Sequence, residues 1–148
     1  MNRSTIDFGI DLGTTNSAIS VLDGVVPEVI KNNEDTDITP SAVSISKKGA
    51  IRVGRRARNL ILSSPSDGYM EFKRRMGSDS EYHFSSSGKT MSPEALSAEV
   101  IKSLRGDVEQ RKSELVDAAV ITVPAAFELH QCEATQQAAK LAGLEQAS

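Results

Sequence analysis

An apolar strand running into Ile10-Asp11-Leu12-Gly13-Thr14-Thr15-Asn16-Ser17 constrains this chain more than any other stretch, because it sets a carboxylate, a glycine and two hydroxyls at one turn. Upstream, Ile6, Phe8, Ile10 and Leu12 alternate with Asp7, Gly9, Asp11 and Gly13, the period of a strand whose side chains face opposite sides of a sheet. Asp11 thus sits at the strand's end. Gly13 removes a side chain where backbone must approach a ligand closely, and the N–H groups that follow it suit an anion. Thr14 and Thr15 add hydroxyls. The pattern is that of a phosphate-handling turn, although Gly-Thr-Thr-Asn by itself also reads as an ordinary polar turn.

The usual phosphate loop is absent: the chain has no G-x-x-x-x-G-K-S/T, and a strand rather than a helix follows Asn16. Ala18 to Leu22 run into Asp23-Gly24, a two-residue hairpin signal, and Val25 to Ile30 read as the return strand. The candidate phosphate turn is therefore a hairpin tip.

Farther on, Lys31 to Asp37 is a polar loop, and Thr39-Pro40-Ser41 leads into a short strand through Val43 and Ile45. Gly49 turns the chain toward Ile51 and Val53, Gly54 to Leu62 has helical character, and Ser63-Ser64-Pro65-Ser66-Asp67-Gly68 breaks it. Tyr69 to Met76 reads as a short helix or turn, and Tyr82-His83-Phe84 with Lys89-Thr90-Met91 as an exposed hairpin. The strongest helix begins at Ser92-Pro93-Glu94, where serine caps, proline fits the first turn and glutamate favours the positive end of the dipole. Leu96, Val100, Ile101, Leu104 and Val108 make its apolar stripe, and it ends near Lys112. Ala118 to Val123 form a buried strand stopped by Pro124, and a last helix runs from about Glu128 to Ala142 with Gly143 ending it. This order implies an α/β sheet with parallel and antiparallel members. A further strand is needed just where Leu144 to Ser148 stand, so the chain reads as a piece of a longer protein.

Charge and cysteine narrow the function. A net charge of −3 argues against general nucleic-acid binding, and the local excess of Arg52, Arg55, Arg56, Arg58, Lys73, Arg74 and Arg75 reads as a solvated basic face. With Cys132 alone, no internal disulfide or cysteine metal cluster forms. Cys132 reads as a packing residue on the inner face of its helix. No stretch approaches the roughly 18 apolar residues of a membrane span, which makes a cytoplasmic protein the simplest expectation. His83 and His130 lack metal-ligand spacing, and Ser17 and Ser41 lack a general-base partner.

These residues resemble the N-terminal part of the ATPase domain of the seventy-kilodalton heat-shock chaperones of the DnaK type. The resemblance rests on Ile10 to Ser17, Thr39-Pro40-Ser41, Phe72-Lys73-Arg74 followed by Gly77, Ser97-Ala98-Glu99-Val100, and Ala119 to Ala125. Ala134-Thr135 and Ala142-Gly143-Leu144-Glu145 continue it in register. It implies the actin-like (ribonuclease H-like) α/β fold, first lobe only. Within a partial nucleotide-binding domain over 1–148, residues of about 1–38 and 116–148 would form the core subdomain. Residues of about 39–115 would form a small α+β outer subdomain and a connecting helix.

The resemblance further implies ATP/ADP and magnesium as cofactors. Gly13, Thr14 and Thr15 would line the phosphates, with Asn16 supporting the turn. Asp11 would hold magnesium through water, since Mg²⁺ dehydrates reluctantly. Lys73 would be the catalytic lysine, placing the attacking water and offsetting charge on the transferred phosphoryl group, with Asp11 and Thr14 beside it in catalysis. Pro124 would be the family's switch proline. The implied partners are unfolded polypeptide clients, through a domain outside this chain, a J-domain co-chaperone and a nucleotide exchange factor; neither nucleic acid nor membrane is among them. Isolated, the piece would bind nucleotide weakly and turn over little. Two departures stand out: Ala126 where the family has tyrosine, and Cys132 where an arginine helps relay the signal. They leave open a non-cycling interaction module of the same fold; a kinase or filament-forming ATPase of the wider superfamily shares the Asp-x-Gly-Thr hairpin but is disfavoured by Thr39-Pro40-Ser41 and Val123-Pro124-Ala125.

Overall fold

The computed structural model describes residues 3 and 5–147. β1 (Phe8–Leu12) buries Phe8, Ile10 and Leu12 on one face, and β2 (Asn16–Asp23) buries Ser17, Ile19 and Val21 on the same side. The two pair antiparallel from Phe8↔Val21 to Leu12↔Ser17, so alternation in the sequence becomes a one-sided core. β3 (Val26–Val29) returns beside β2 with Asp23 opposite Val26. The hairpin loop is therefore Gly24-Val25, one residue later than Asp23-Gly24 suggests. Asp23 stays in the ladder and its carboxylate meets Arg3 at 3.0 Å and Lys112 at 3.9 Å, while Gly24 takes the positive φ of 81° that the turn requires.

β4 (Thr39–Pro40) pairs with the start of β2, Asn16 facing Pro40 and Ser17 facing Thr39. A second sheet of three strands follows, made of β5 (Ala42–Ile45), β6 (Ile51–Val53) and, after α1 (Arg55–Ser63), β7 (Gly68–Met70), with β5 in the middle. Here the structure corrects the helix-or-turn expectation for Tyr69 to Met76: only Phe72–Arg75 forms a 3₁₀ turn, and Gly68–Met70 is a strand paired to β5. The strand is held from afar. Tyr69 packs edge-on against Tyr82 and Phe84, 4.9 and 5.1 Å between ring centres, and a Cβ at Gly68 would lie 2.3 Å from the Ile61 side chain. Glu71, at φ 60°, separates strand from turn. β8 (Tyr82–His83) and β9 (Thr90–Met91) form the small hairpin.

α2 (Pro93–Lys112) is capped as its sequence indicates, Ser92 Oγ accepting the Ala95 N–H at 3.0 Å. Its buried residues include Leu96, Val100, Ile101, Leu104 and Val108, which join one continuous core with both sheets. β10 (Ala118–Thr122) then inserts parallel to β1, α3 (Leu129–Leu141) packs on α2, and β11 (Gln146–Ala147) adds a short parallel strand to β10. The main sheet runs β11-β10-β1-β2-β3 with β4 attached to β2. Gly143 ends α3 at φ 90°, and Arg105 of α2 reaches past it to the Ala142 carbonyl at 2.5 Å. Cys132 is half-buried rather than on the inner face; Ala134, Thr135, Ala138 and Ala139 occupy that face.

One carboxylate on α2 works against the fold. Asp107 is 7% exposed, and burial pushes its carboxyl up to about 6 even though Arg111 and the Asn33 backbone oppose the shift. Because its folded value lies above the unfolded one, ionised Asp107 destabilises the native state above pH 6, and that cost fades as pH falls toward 4. Asp107→Asn should therefore raise the unfolding free energy by about 1 to 2 kcal/mol at pH 7.5 and by nearly nothing near pH 4. Urea midpoints of both proteins at the two pH values check this.

Candidate nucleotide-phosphate site

The turn between β1 and β2 is built by backbone crowding. A Cβ at Gly13 would lie 2.1 Å from the Asn16 carbonyl oxygen, so the chain reverses this tightly only with glycine there. Ser17, buried at the start of β2, accepts the Gly13 N–H at 3.3 Å. Ser41, also buried, donates to the Gly13 carbonyl at 2.8 Å and lies 2.8 Å from Ser17 Oγ. The Ser41 backbone N–H bonds the Thr15 carbonyl at 2.9 Å. Thr39-Pro40-Ser41 is thus a brace under the turn. The two serines act structurally, in keeping with their lack of a general base, and sequence reasoning passed over this role. The available signal was the shared motif that contains Ser41.

The brace is itself anchored. Asn32 Nδ2 donates to Thr39 Oγ1 and to the Ile38 carbonyl, both at 3.1 Å. Arg111 of α2 holds the Asn32 carbonyl at 2.7 Å. The polar loop from Lys31 to Asp37 therefore hangs on α2.

Above the brace the turn presents free groups. Among the described residues the hydroxyls of Thr14 and Thr15 make no hydrogen bond, and the backbone N–H groups of the same two residues find no protein acceptor. Asn16 is exposed and opposes Pro40 across the ladder. Asp11 is exposed at the end of β1, one residue before the buried Leu12. Its Oδ1 accepts from the Thr122 hydroxyl of β10 at 3.2 Å, which leaves Oδ2 without a protein partner among the described residues.

Lys73 enters from the 3₁₀ turn, 61 residues away from the carbonyl it reaches. It is 5% exposed, and its ammonium donates to the Leu12 carbonyl at the base of the turn. Burial pushes the ammonium below the usual lysine range, against the pull of the Asp11 charge. The Phe127 ring lies over it, 5.4 Å from nitrogen to ring centre. Lys73 is thus not part of a solvated basic face, unlike the exposed Arg74 and Arg75 beside it. Gly77, at φ 78°, docks this segment on α3, where a Cβ would meet the His130 ring at 2.6 Å.

Asp11, Gly13, Thr14, Thr15, Asn16 and Lys73 therefore converge on one hairpin tip. Pro124 is exposed beyond β10, with Ala126 exposed and Cys132 half-buried on α3. His83 bonds Thr90 at 3.0 Å and His130 lies 3.4 Å from Glu128, both exposed. Among the described residues no group of three or more His, Cys, Asp or Glu side chains could enclose a metal. No helix there is long and apolar enough to cross a membrane.

Such a tip can receive an oxyanion. Unpaired N–H groups and hydroxyls accept the charge, a buried ammonium sits at its base, and a half-free carboxylate stands at its flank. The carboxylate suits a hydrated Mg²⁺, which needs one or two carboxylates and not a protein cage. Ser41→Ala, which strips the Gly13 carbonyl and Ser17 of their partner, should cost about 1 to 2 kcal/mol of stability. Thr15→Ala should change it by less than about 0.5 kcal/mol. Denaturant midpoints of the two variants make the comparison. A family model described as Hsp70 protein matches residues 7–147.

Proposed function

The chain belongs to the Hsp70 protein family, and from this premise we propose that it is the first lobe of a chaperone ATPase, with the β1–β2 turn as its phosphate site. Membership carries the actin-like ATPase fold, here a mixed sheet of parallel and antiparallel strands. Hsp70 proteins are chaperones that bind and hydrolyse ATP, generally with Mg²⁺. The observation that carries the residue-level reading is the pairing of unpartnered groups on Thr14 and Thr15 with a buried ammonium underneath.

In this reading the N–H and hydroxyl groups of Thr14 and Thr15 bind the β- and γ-phosphates, and Asn16 supports the turn. The bare Cα of Gly13 lets the backbone close beneath them. Asp11 holds Mg²⁺ through water by its free oxygen. When bound, the metal neutralises charge on the phosphate oxygens. Lys73 places the attacking water and offsets charge as the bond to the leaving ADP breaks, giving ADP and inorganic phosphate. Its low-lying titration suits that task, since burial has already removed competing solvent.

The cleft would be completed by a second lobe. Residues of about 1–38 and 116–148 would form the core layer, with 39–115 as the outer subdomain and connecting helix. Nucleotide state would govern the grip of a separate substrate domain on unfolded polypeptides. A J-domain co-chaperone would speed hydrolysis, an exchange factor would release ADP, and the cycle would run in the cytoplasm. Ala126 and Cys132 bear on the relay from Pro124 more than on phosphate binding.

Two measurements test the site. The chain should bind Mg-ATP in a calorimetric titration, and Lys73→Ala should weaken binding by less than about tenfold. In the whole protein that carries the chain, the same substitution should lower hydrolysis by about 100-fold or more. No Mg-ATP binding by the wild-type whole protein, or undiminished hydrolysis in the variant, would sink the assignment. Loss of stimulation by a J-domain would favour the non-cycling module.

A further inference from the structure

We propose that Phe127 is the positioning residue of Lys73, its ring holding the ammonium over the Leu12 carbonyl and tying it to the turn at Pro124. The inference rests on the reading of Lys73 as the catalytic ammonium.

An ammonium has three donors and no acceptor. Buried Lys73 spends one donor on the Leu12 carbonyl, and no carboxylate forms an ion pair with it among the described residues. Asp11 acts on it only through space. Arg74 and Arg75 of its own turn are exposed, as are Glu128 and Glu133 on α3. The face of Phe127, at 5.4 Å, is therefore what stabilises the charged head from the side of α3.

That ring is held from two directions. The Phe127 backbone N–H bonds the Pro124 carbonyl at 3.0 Å, closing a tight turn after β10. One residue later, the Glu128 N–H donates to Gln131 Oε1 at 2.9 Å and begins α3. A shift of the Pro124 turn must therefore carry the ring, and a shift of the ring moves the preferred place of the ammonium. Ala126, next to it, has only a methyl group and cannot take this role. In this chain the contact between the β10–α3 turn and the lysine is aromatic.

The test uses the nucleotide-free chain, with the Lys73 ε-CH₂ followed by NMR in wild type, Phe127→Leu and Phe127→Tyr. Ring current should place the wild-type signal upfield of the other lysines. Phe127→Leu, which keeps an apolar wall but no π-face, should return it to the ordinary position and lower the Lys73 titration midpoint by about 0.5 to 1 pH unit. Phe127→Tyr should restore both. An ε-CH₂ signal that does not move in Phe127→Leu, or a midpoint that rises because the ring merely excluded water, would overturn the proposal. Circular dichroism establishes that each variant is folded, and Phe127→Tyr still decides the matter if Phe127→Leu is not. Mg-ATP binding by the whole protein that carries the chain separates the two readings: its absence removes the phosphate-site assignment, while the Lys73 signals decide the role of Phe127 independently.

Discussion

The hydrogen bond from the Lys73 ammonium to the Leu12 carbonyl joins the two halves of this molecule at one atom. Leu12 ends β1 with its side chain in the core and its carbonyl turned to the lysine. Removing an ammonium from water is expensive unless its donors are used, so Lys73 stays inside because the Leu12 carbonyl takes one donor, the Phe127 ring faces it, and the Asp11 charge pulls on it through space. Leu12 and Asp11 come from the end of β1, and Phe127 from the turn after β10. If the 3₁₀ turn, β1 and the β10–α3 connection were not held in register, the charge would have no reason to remain buried.

That register is kept by α2. Its apolar stripe packs against both sheets, and its polar residues reach outward to irregular segments: Arg105 to the Val116 carbonyl before β10 and the Ala142 carbonyl after α3, Arg111 to the loop that carries Thr39. Through Asn32, Thr39 and Ser41 that second path arrives at the Gly13 carbonyl, next to the Leu12 carbonyl that Lys73 holds. The tip is thus supported by both paths while its outer groups stay free. Asp107 lies on the same helix, and its burial shows that α2 carries one charge the fold would be more stable without.

Much of this was readable from local pattern. Phe8, Ile10 and Leu12 declared a one-sided strand, and Ser92-Pro93-Glu94 declared a helix start, because both signals depend on nearest neighbours along the chain. The strand at Gly68–Met70 was not, since its identity comes from β5 and from an aromatic contact with Tyr82 and Phe84. Nor was the shifted hairpin loop, whose place is set by the ladder in which Ser20 to Asp23 pair with Val29 to Val26. At the site, the glycine and hydroxyls of the turn were visible as chemistry. Lys73 had no periodic signature: its role came only from resemblance, and its burial from the fold alone. The brace of Ser17 and Ser41 left no local mark, because hydroxyls 24 residues apart announce nothing until a ladder sets them side by side.

Where a buried charge is held by a carbonyl and an aromatic face and feels its carboxylate only through space, its position is soft in one respect. Ion pairs are stiff because both partners lose much when separated in a low dielectric. A ring offers a broad attractive face instead, so small sliding of the ammonium is tolerated. In the proposed phosphoryl-transfer site that softness would have a use: the cation could follow charge as it moves from the γ-phosphoryl toward the leaving group. A salt bridge at the same place would hold the lysine to its partner and screen it from the substrate. Under the proposed reading, the aromatic neighbour stands where a paired carboxylate would otherwise hold Lys73, so that apart from the through-space charge of Asp11 the ammonium stays available to the nucleotide.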